Sequence, residues 1–465
     1  MTRGVRAALV VVTALGVWAV PAPAGVEASS WRLLAIFVAT IVGLIVQPLP
    51  MGAMVLVSLT VAAAARTVSV GTALSGFANG TVWLIVSAFL IARAFVVTGL
   101  GRRIAFGLIG VLGRSTLGLA YAVAFADLVI APATPSNTAR AGGILYPIVR
   151  SLGSALGSEP GPTARRAGAF LLLSGYHCNM VTSAMFMTAM AASPLAVELA
   201  GQAGVTIPWG TWALAGLVPG LVSLALVPAL LFAMARPEVT RTPAAPATAR
   251  AELAALGPLG PKQIVLAAVF AGSLSLWATS HLHRLDATLV ALVGVAALLA
   301  TGVLAWGDVL GETRAWDALL WFGGLLTMAG QLNKLGVMSW AAGRLAAGLK
   351  GWPWLAALVA LALIYLFAHY AFASMAAHVT ALYPIFLATA IAAGAPPLLA
   401  ALVFAFFSNL NGSLTHYASG PAPIYFGSGY VDMAAWWRLG FVVALVNVVV
   451  WLGLGFPYWK FLGLW

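Results

Sequence analysis

The sequence has almost no charge. Asp, Glu, Lys and Arg make up 7% of its 465 residues, whereas 62% are apolar. A soluble globular domain carries about 25% charged residues. So few ionic side chains cannot form a water-facing shell, so the solvent around this chain is lipid. Cysteine is nearly absent: Cys178 stands alone, which excludes an internal disulfide and a thiolate cluster and says little about redox compartment. Acidic residues number 11 against 23 Lys and Arg, a formal net charge of +12. No long basic run concentrates that charge, which argues against nucleic-acid binding. Paired carboxylates are missing too. Asp127 is the clearest acid near the bilayer interior, and no proton relay of the intramembrane kind is visible.

What is present is a series of long apolar segments. A membrane span needs about 20 such residues. Spans are expected near 7–23, 32–47, 50–65, 82–99, 169–190, 213–235, 264–280, 286–304, 317–331, 353–369, 398–412 and 437–457. The fold class is therefore an all-α polytopic membrane protein with about 11–12 transmembrane helices. The first segment has two readings. Arg3 and Arg6, the apolar run Ala7–Val20 and Ala22-Pro23-Ala24 suit a cleaved signal as well as a retained span; the multi-span pattern that follows favours the span.

One hydrophilic break, 236–262, is rich in Pro and Ala, carries Arg236, Arg241, Arg250 and Lys262, and divides the chain into near-equal halves. With a cytoplasmic N-terminus, most of the Lys and Arg fall on the inner side, in accord with the positive-inside rule. Two further stretches, 117–150 and 369–394, are apolar but interrupted by polar residues, Gly and Pro. They are expected to be re-entrant hairpins, because non-helical backbone at membrane depth survives only where protein or water satisfies it. The halves echo each other here. TPSNTARAGGILYPI (134–148) and FASMAAHVTALYPIF (372–386) each place a Ser before Leu-Tyr-Pro-Ile. Matching broken segments in two halves point to a transporter binding site.

Ser136, Asn137 and Thr138 form a compact donor set after Pro132 and Pro135. A helix break at that point exposes backbone N–H groups and a positive dipole end, a natural anion site. Asn137-Thr138-Ala139 does not match the glycosylation pattern Asn-x-Ser/Thr; a plain helix cap is the alternative reading. A second polar cluster, SNLNGSLTHYASGPAPIYFGSGY (408–430), holds Ser419-Gly420-Pro421. Its first-half counterpart, SAMFMTAMAASPLA (183–196), ends in Ser193-Pro194.

These segments, with IFVATIVGLIVQPLPMGA (36–53), resemble the divalent anion/sodium symporter family over nearly the whole chain. The likeness is strongest to its branch of citrate/succinate, tartrate/succinate and plastid 2-oxoglutarate/malate exchangers. The resemblance implies a homodimer of inverted repeats in a bacterial inner membrane, moving as an elevator, with two Ser-Asn-Thr tips that bind substrate carboxylate and each frame a sodium ion. It implies scaffold spans at 1–100 and 263–316, and transport halves at 101–235 and 317–465 joined through the cytoplasmic linker 236–262. The first tip, Ser136-Asn137-Thr138, is intact. The second falls on Ser374-Met375-Ala376, without the Asn and Thr, and Pro132 and Tyr370 stand where the symporters often have Ser or Thr. The place left for a sodium ion is beside Ser136 and Asn137; no other metal and no cofactor is expected.

A dicarboxylate carries about −2, and bare charge in low dielectric costs several kcal/mol per ion. His378, His416 and His369 cluster around the second hairpin and are candidates to supply the positive charge that sodium supplies elsewhere. Substrate contacts are expected from Ser136, Asn137, Thr138, Ser374, Ser193, Ser419, Gly420 and Pro421. The expected function is sodium-independent exchange of small dicarboxylates such as succinate, malate or 2-oxoglutarate. The alternative is sodium-coupled di- or tricarboxylate symport. An enzyme is not expected: His177-Cys178 has no acidic or histidine partner at a motif spacing.

Overall fold

A computed structural model describes residues 2–465, and among them there is no β-strand. Eight helices are long and apolar enough to cross a membrane, and three shorter apolar ones accompany them. In chain order the main helices are α1 (Arg3–Ala19), α2 (Ala28–Val46), α3 (Met51–Ala64), α4 (Gly80–Thr98), α5 (Leu100–Leu112), α6 (Thr116–Ile130), α7 (Tyr146–Ala155), α8 (Gly168–Met185), α9 (Ala192–Gln202) and α10 (Trp209–Ala235). The second half adds α11 (Ala245–Ala255), α12 (Pro261–Ala278), α13 (Ala287–Ala300), α14 (Thr313–Lys334), α15 (Val337–Ala347), α16 (Trp354–Ala368), α17 (Met375–Ala392), α18 (Pro397–Leu410), α19 (Met433–Val448) and α20 (Gly455–Phe461).

Side-chain caps start several of these helices. Ser115 accepts from Gly118 N at 3.0 Å at α6, Asn79 from Thr81 N at 2.8 Å at α4, and Asp432 from Ala435 N at 2.8 Å at α19. Each satisfies an amide that the first turn leaves unpaired. The α8–α10 pair is close because α10 presents small residues: a Cβ at Gly216 would meet the Met185 backbone at 3.1 Å.

The early helices form one packed group. α4 packs on α13 and α14, and α14 packs on α3 as well. The boundary expected at 317 therefore cuts through α14, whose apolar face belongs with the first 100 residues. Helix α1 lies against α2, where Trp31 Nε1 donates to Val17 O at 3.1 Å and the Arg32 guanidinium sits 5.4 Å from the Trp18 ring centre.

The second group is built on the hairpins. In the stretch 117–150, α6 is followed by a turn at 131–137, and a π-helix (Thr138–Leu145) continues into α7. In the stretch 369–394 the 3₁₀ turn His369–Ala371 leads to α17. The segment expected as a span at 353–369 is α16, which with that turn is long and apolar enough to cross a membrane, as is α6 with the turn that follows it.

The linker 236–262 is not a free tether. α11 packs on α5, Thr242 N donates to Arg114 O at 3.0 Å, and Arg103 Nη2 donates to Gly257 O at 2.8 Å.

Candidate functional site

Two broken backbones meet at the site. In the first, a 3₁₀ turn (Ala131–Ala133) leads to extended Thr134 and then the Ser-Asn-Thr tip. In the second, a 3₁₀ turn (His369–Ala371) leads through extended Phe372 to Ser374, itself extended. The two serines act alike. Ser136 Oγ accepts from Ala139 N at 3.1 Å, and Ser374 Oγ accepts from Ala377 N at 3.3 Å. The cap reading of the tip is thus correct, and it coexists with a binding reading. A capping hydroxyl spends a lone pair and keeps its O–H for a ligand. The tips touch where their equivalent residues face each other: Asn137 Nδ2 lies 3.9 Å from Met375 Sδ.

Between the tips lies a cavity of about 400 Å³. Ser136, Asn137, Thr138 and Ser374 line it from the hairpins, and Ser419 and Gly420 from the loop after α18. Gln47, Met51, Phe89 and Trp321 close it from the early helices. Gly420 has to be glycine, since a Cβ there would run into Thr138 Oγ1. None of the lining side chains is charged. Two helix starts lie in the cavity wall, α17 at Met375 and the π-helix at Thr138, and a helix start favours an anion. The cavity has the size of a small-molecule site and the chemistry of one for an anion held by neutral donors.

Directly behind the first tip is a residue that sequence reasoning passed over. Arg140 is fully buried, with all five N–H groups placed. Nε donates to Asp127 Oδ1 at 2.6 Å, and Nη1 donates at 2.8 Å to the carbonyls of Thr134 and Ala189. Nη2 donates to Ser183 Oγ at 2.8 Å and Thr182 Oγ1 at 3.4 Å. Asp127 in turn accepts from Thr182 Oγ1 and from Asn179 Nδ2, the latter at 3.1 and 3.0 Å to its two oxygens. Thr134 and Ala189 sit at the two chain breaks of the first half, between α6 and α7 and between α8 and α9. The guanidinium ties the two breaks together through these carbonyls. A signal for Arg140 existed: an ionisable residue at membrane depth marks a functional site with a nearby partner, and Asp127 was visible.

The second tip differs from the first in its side chains. Met375 and Ala376 bring no side-chain oxygen, and behind them lies a histidine pair. His378 and His369 are fully buried with ring centres 4.9 Å apart. His378 Nδ1 is 2.7 Å from Asn411 Nδ2, and His369 Nε2 is 2.7 Å from Ala418 O. Neither histidine lines the cavity; they support the second tip from one layer beneath. His416 departs from expectation. Its Nδ1 accepts from Trp437 Nε1 at 3.0 Å, its ring packs on Phe426 and on Tyr417, and Tyr417 rather than His416 lines the cavity. Ser193 and Pro421 do not line it either. Ser193 instead pairs with Asn409, whose Nδ2 donates at 3.1 Å, and so braces α9 against α18. Tyr176, also missed, donates to Gly412 O at 2.5 Å and lies 2.9 Å from Ser419 Oγ, holding that serine at the cavity wall.

The chain is 48% identical over 98% of its length to YflS of Bacillus subtilis, which bears the name of malate transporter, and covers 96% of that protein. It is 45% identical to dicarboxylate transporter 1 of Arabidopsis thaliana chloroplasts, over 98% of this chain and 82% of the relative. The Escherichia coli inner membrane protein YbhI is 40% identical over 95% and 94% of the two chains. Among solved structures, the YdaH transporter of Alcanivorax borkumensis shares the fold, with a TM-score of 0.58 at 14% identity, over 94% of this chain and 98% of that one. The family model described as the sodium:sulfate symporter transmembrane region matches residues 2–465, and the chain belongs to that family.

Proposed function

We propose that this protein is a dicarboxylate transporter that exchanges one small dicarboxylate for another without sodium. The names of the relatives support the substrate class. The observation that carries the coupling mode is Arg140. Its Nη1 holds the carbonyls of Thr134 and Ala189, both at 2.8 Å, in the position where a bound cation would join the two breaks. At the second tip, Met375 and Ala376 offer no oxygen and His378 lies behind. The cation at the first junction, the Arg140 guanidinium paired with Asp127, is then part of the chain and cannot dissociate. The substrate's carboxylates lie between Ser136, Asn137, Thr138 and Ser374, with Ser419 beside them. His378 and His369, one layer back, stabilise the negative charge through the second tip.

The cavity wall supplied by Gln47, Met51, Phe89 and Trp321 is the face along which the hairpin bundle moves, as an elevator within a homodimer. The membrane is a bacterial inner membrane, with the N-terminus cytoplasmic. A sodium-coupled second reading draws on the intact first tip and on the family's own description.

The test is uptake of labelled malate into proteoliposomes preloaded with malate, succinate, 2-oxoglutarate, citrate, sulfate or nothing, with Na⁺ or choline outside. Exchange requires uptake only with a counter-dicarboxylate and equal rates in the two cations. Strong uptake into empty vesicles down an inward Na⁺ gradient replaces this reading with symport.

A further inference from the structure

A second cavity, of about 330 Å³, lies away from the substrate site, where the start of α8, the end of α10 and the start of α19 come to one level. Two arginines line it: Arg165, three residues before α8, and Arg438, in the second turn of α19. Neither guanidinium has a hydrogen-bonding or ionic partner among the described residues. The acid in the same wall, Asp432, is engaged by the first turn of α19, where Oδ1 accepts from Ala435 N at 2.8 Å. The opposite wall is apolar, with Leu173 and Met234. The cavity therefore joins two guanidiniums without a direct partner, and one carboxylate held by a backbone amide, to a hydrocarbon face.

The surface below the arginines continues that face. Arg438, Phe441 and Leu445 stand at i, i+3 and i+7 on one side of α19. Phe441 is 41% exposed and Leu445 40%. At 1.5 Å per residue this strip runs about 10 Å into the membrane from Arg438. Tyr430 marks the upper rim, the level at which aromatic residues gather at a bilayer surface. A free phosphate or dicarboxylate would use the arginines and leave the strip unused. A lipid with a neutral headgroup would use the strip and leave two cations unpaired. One class of ligand satisfies both.

We propose that this cavity is a specific site for an anionic phospholipid, whose phosphate sits between Arg165 and Arg438 and whose acyl chain lies along Phe441 and Leu445. Basic pockets between transmembrane helices hold acidic headgroups by this chemistry. The lipid bridges α8, which carries Asn179 and Thr182 behind the first tip, to α19 of the second half, so its occupancy stabilises the hairpin bundle as a unit.

The experiment uses the delipidated full-length protein in mild detergent. Bound lipid is counted by native mass spectrometry, and the unfolding midpoint is recorded with dioleoylphosphatidylglycerol, dioleoylphosphatidylcholine or inorganic phosphate. Phosphatidylglycerol is expected to remain bound and raise the midpoint; phosphatidylcholine and phosphate are not. Arg165→Gln/Arg438→Gln should weaken phosphatidylglycerol binding at least tenfold, Arg165→Lys/Arg438→Lys should retain most of it, and Arg114→Gln/Arg250→Gln, exposed arginines outside the cavity, should leave it unchanged. Equal retention of the two lipids by the unsubstituted protein overturns the proposal. So does undiminished binding in the glutamine pair, or an equal loss in the Arg114/Arg250 pair, which marks a diffuse charged annulus. A midpoint shift produced by phosphate alone overturns the lipid assignment.

Discussion

At the scale of single residues, Asn137 and Arg140 stand three positions apart and have different duties. Asn137 lines the cavity and its carboxamide meets only a thioether across the tips, so its donors are free for a carboxylate. A hydrogen bond to a charged group is worth about 1.5–3 kcal/mol. Asn137→Ala should therefore lower dicarboxylate uptake by about 10- to 150-fold in proteoliposomes while the unfolding midpoint stays near that of the parent; unchanged uptake removes Asn137 from the site. Arg140 is structural first. Arg140→Gln leaves Asp127 as an uncompensated buried charge, a loss of about 3–5 kcal/mol, read as a large fall in thermal midpoint in detergent. Asp127→Asn added to it should restore part of that loss, because no bare charge remains. A double variant less stable than Arg140→Gln alone contradicts the pairing. The sequence made Asn137 visible, since Pro132, Pro135 and three adjacent donors mark a break. It hid Arg140, because an arginine just after a Pro-flanked break reads as loop charge until the helix that buries it is seen. The histidines were legible only as a group: His378 and His369 pack under the second tip, whereas the Trp437 indole draws His416 aside.

At the scale of elements, α9 links the site to the early helices. Its N-terminal end follows the break that lines the cavity at Met190, Ala191 and Ala192. One face carries Glu198, whose carboxylate accepts from Asn79 Nδ2 at 3.0 Å and Thr81 Oγ1 at 2.8 Å. Those groups begin α4, so the glutamate also faces a positive helix end. If the hairpin bundle slides past α4, this contact must break in each cycle. Glu198→Ala is expected to change the maximal exchange rate several-fold and the half-saturation concentration less than twofold, because Glu198 does not line the substrate cavity. A change confined to half-saturation would place Glu198 in binding instead. Residues 354–368 are an uninterrupted apolar helix with no acid or base, so the expected span at 353–369 is legible in composition alone. The first hairpin announced itself through Pro-flanked donors on a single segment. The docking of α11 on α5 was hidden, since the backbone hydrogen bonds of 240–242 to 114–116 leave no trace in side-chain pattern.

At the scale of the whole molecule, the coupling mode fixes how much charge crosses per cycle. Any charge fixed in the moving bundle that travels outward on one stroke returns on the next. Its net contribution over a full cycle is zero. What remains is the cargo: a dianion inward and a dianion outward, again zero. A membrane potential acts on net charge at about 2.3 kcal/mol per elementary charge per 100 mV. Exchange of malate for succinate should therefore reach the same internal level whether a potassium gradient with valinomycin sets the vesicle interior 100 mV negative, 100 mV positive or at zero. A symporter that brings in one more sodium charge than its substrate carries would respond strongly: 2.3 kcal/mol is about a 50-fold change in accumulation ratio. The measurement is labelled malate accumulation into succinate-loaded vesicles at the three potentials at constant pH, where both substrates are fully dianionic. Equal plateaus at all three support the neutral exchange cycle. A plateau that climbs with an inside-negative potential means that a cation from solution travels with the substrate, and the junction at Thr134 and Ala189 would then have to admit an ion beside the guanidinium that already ties it together.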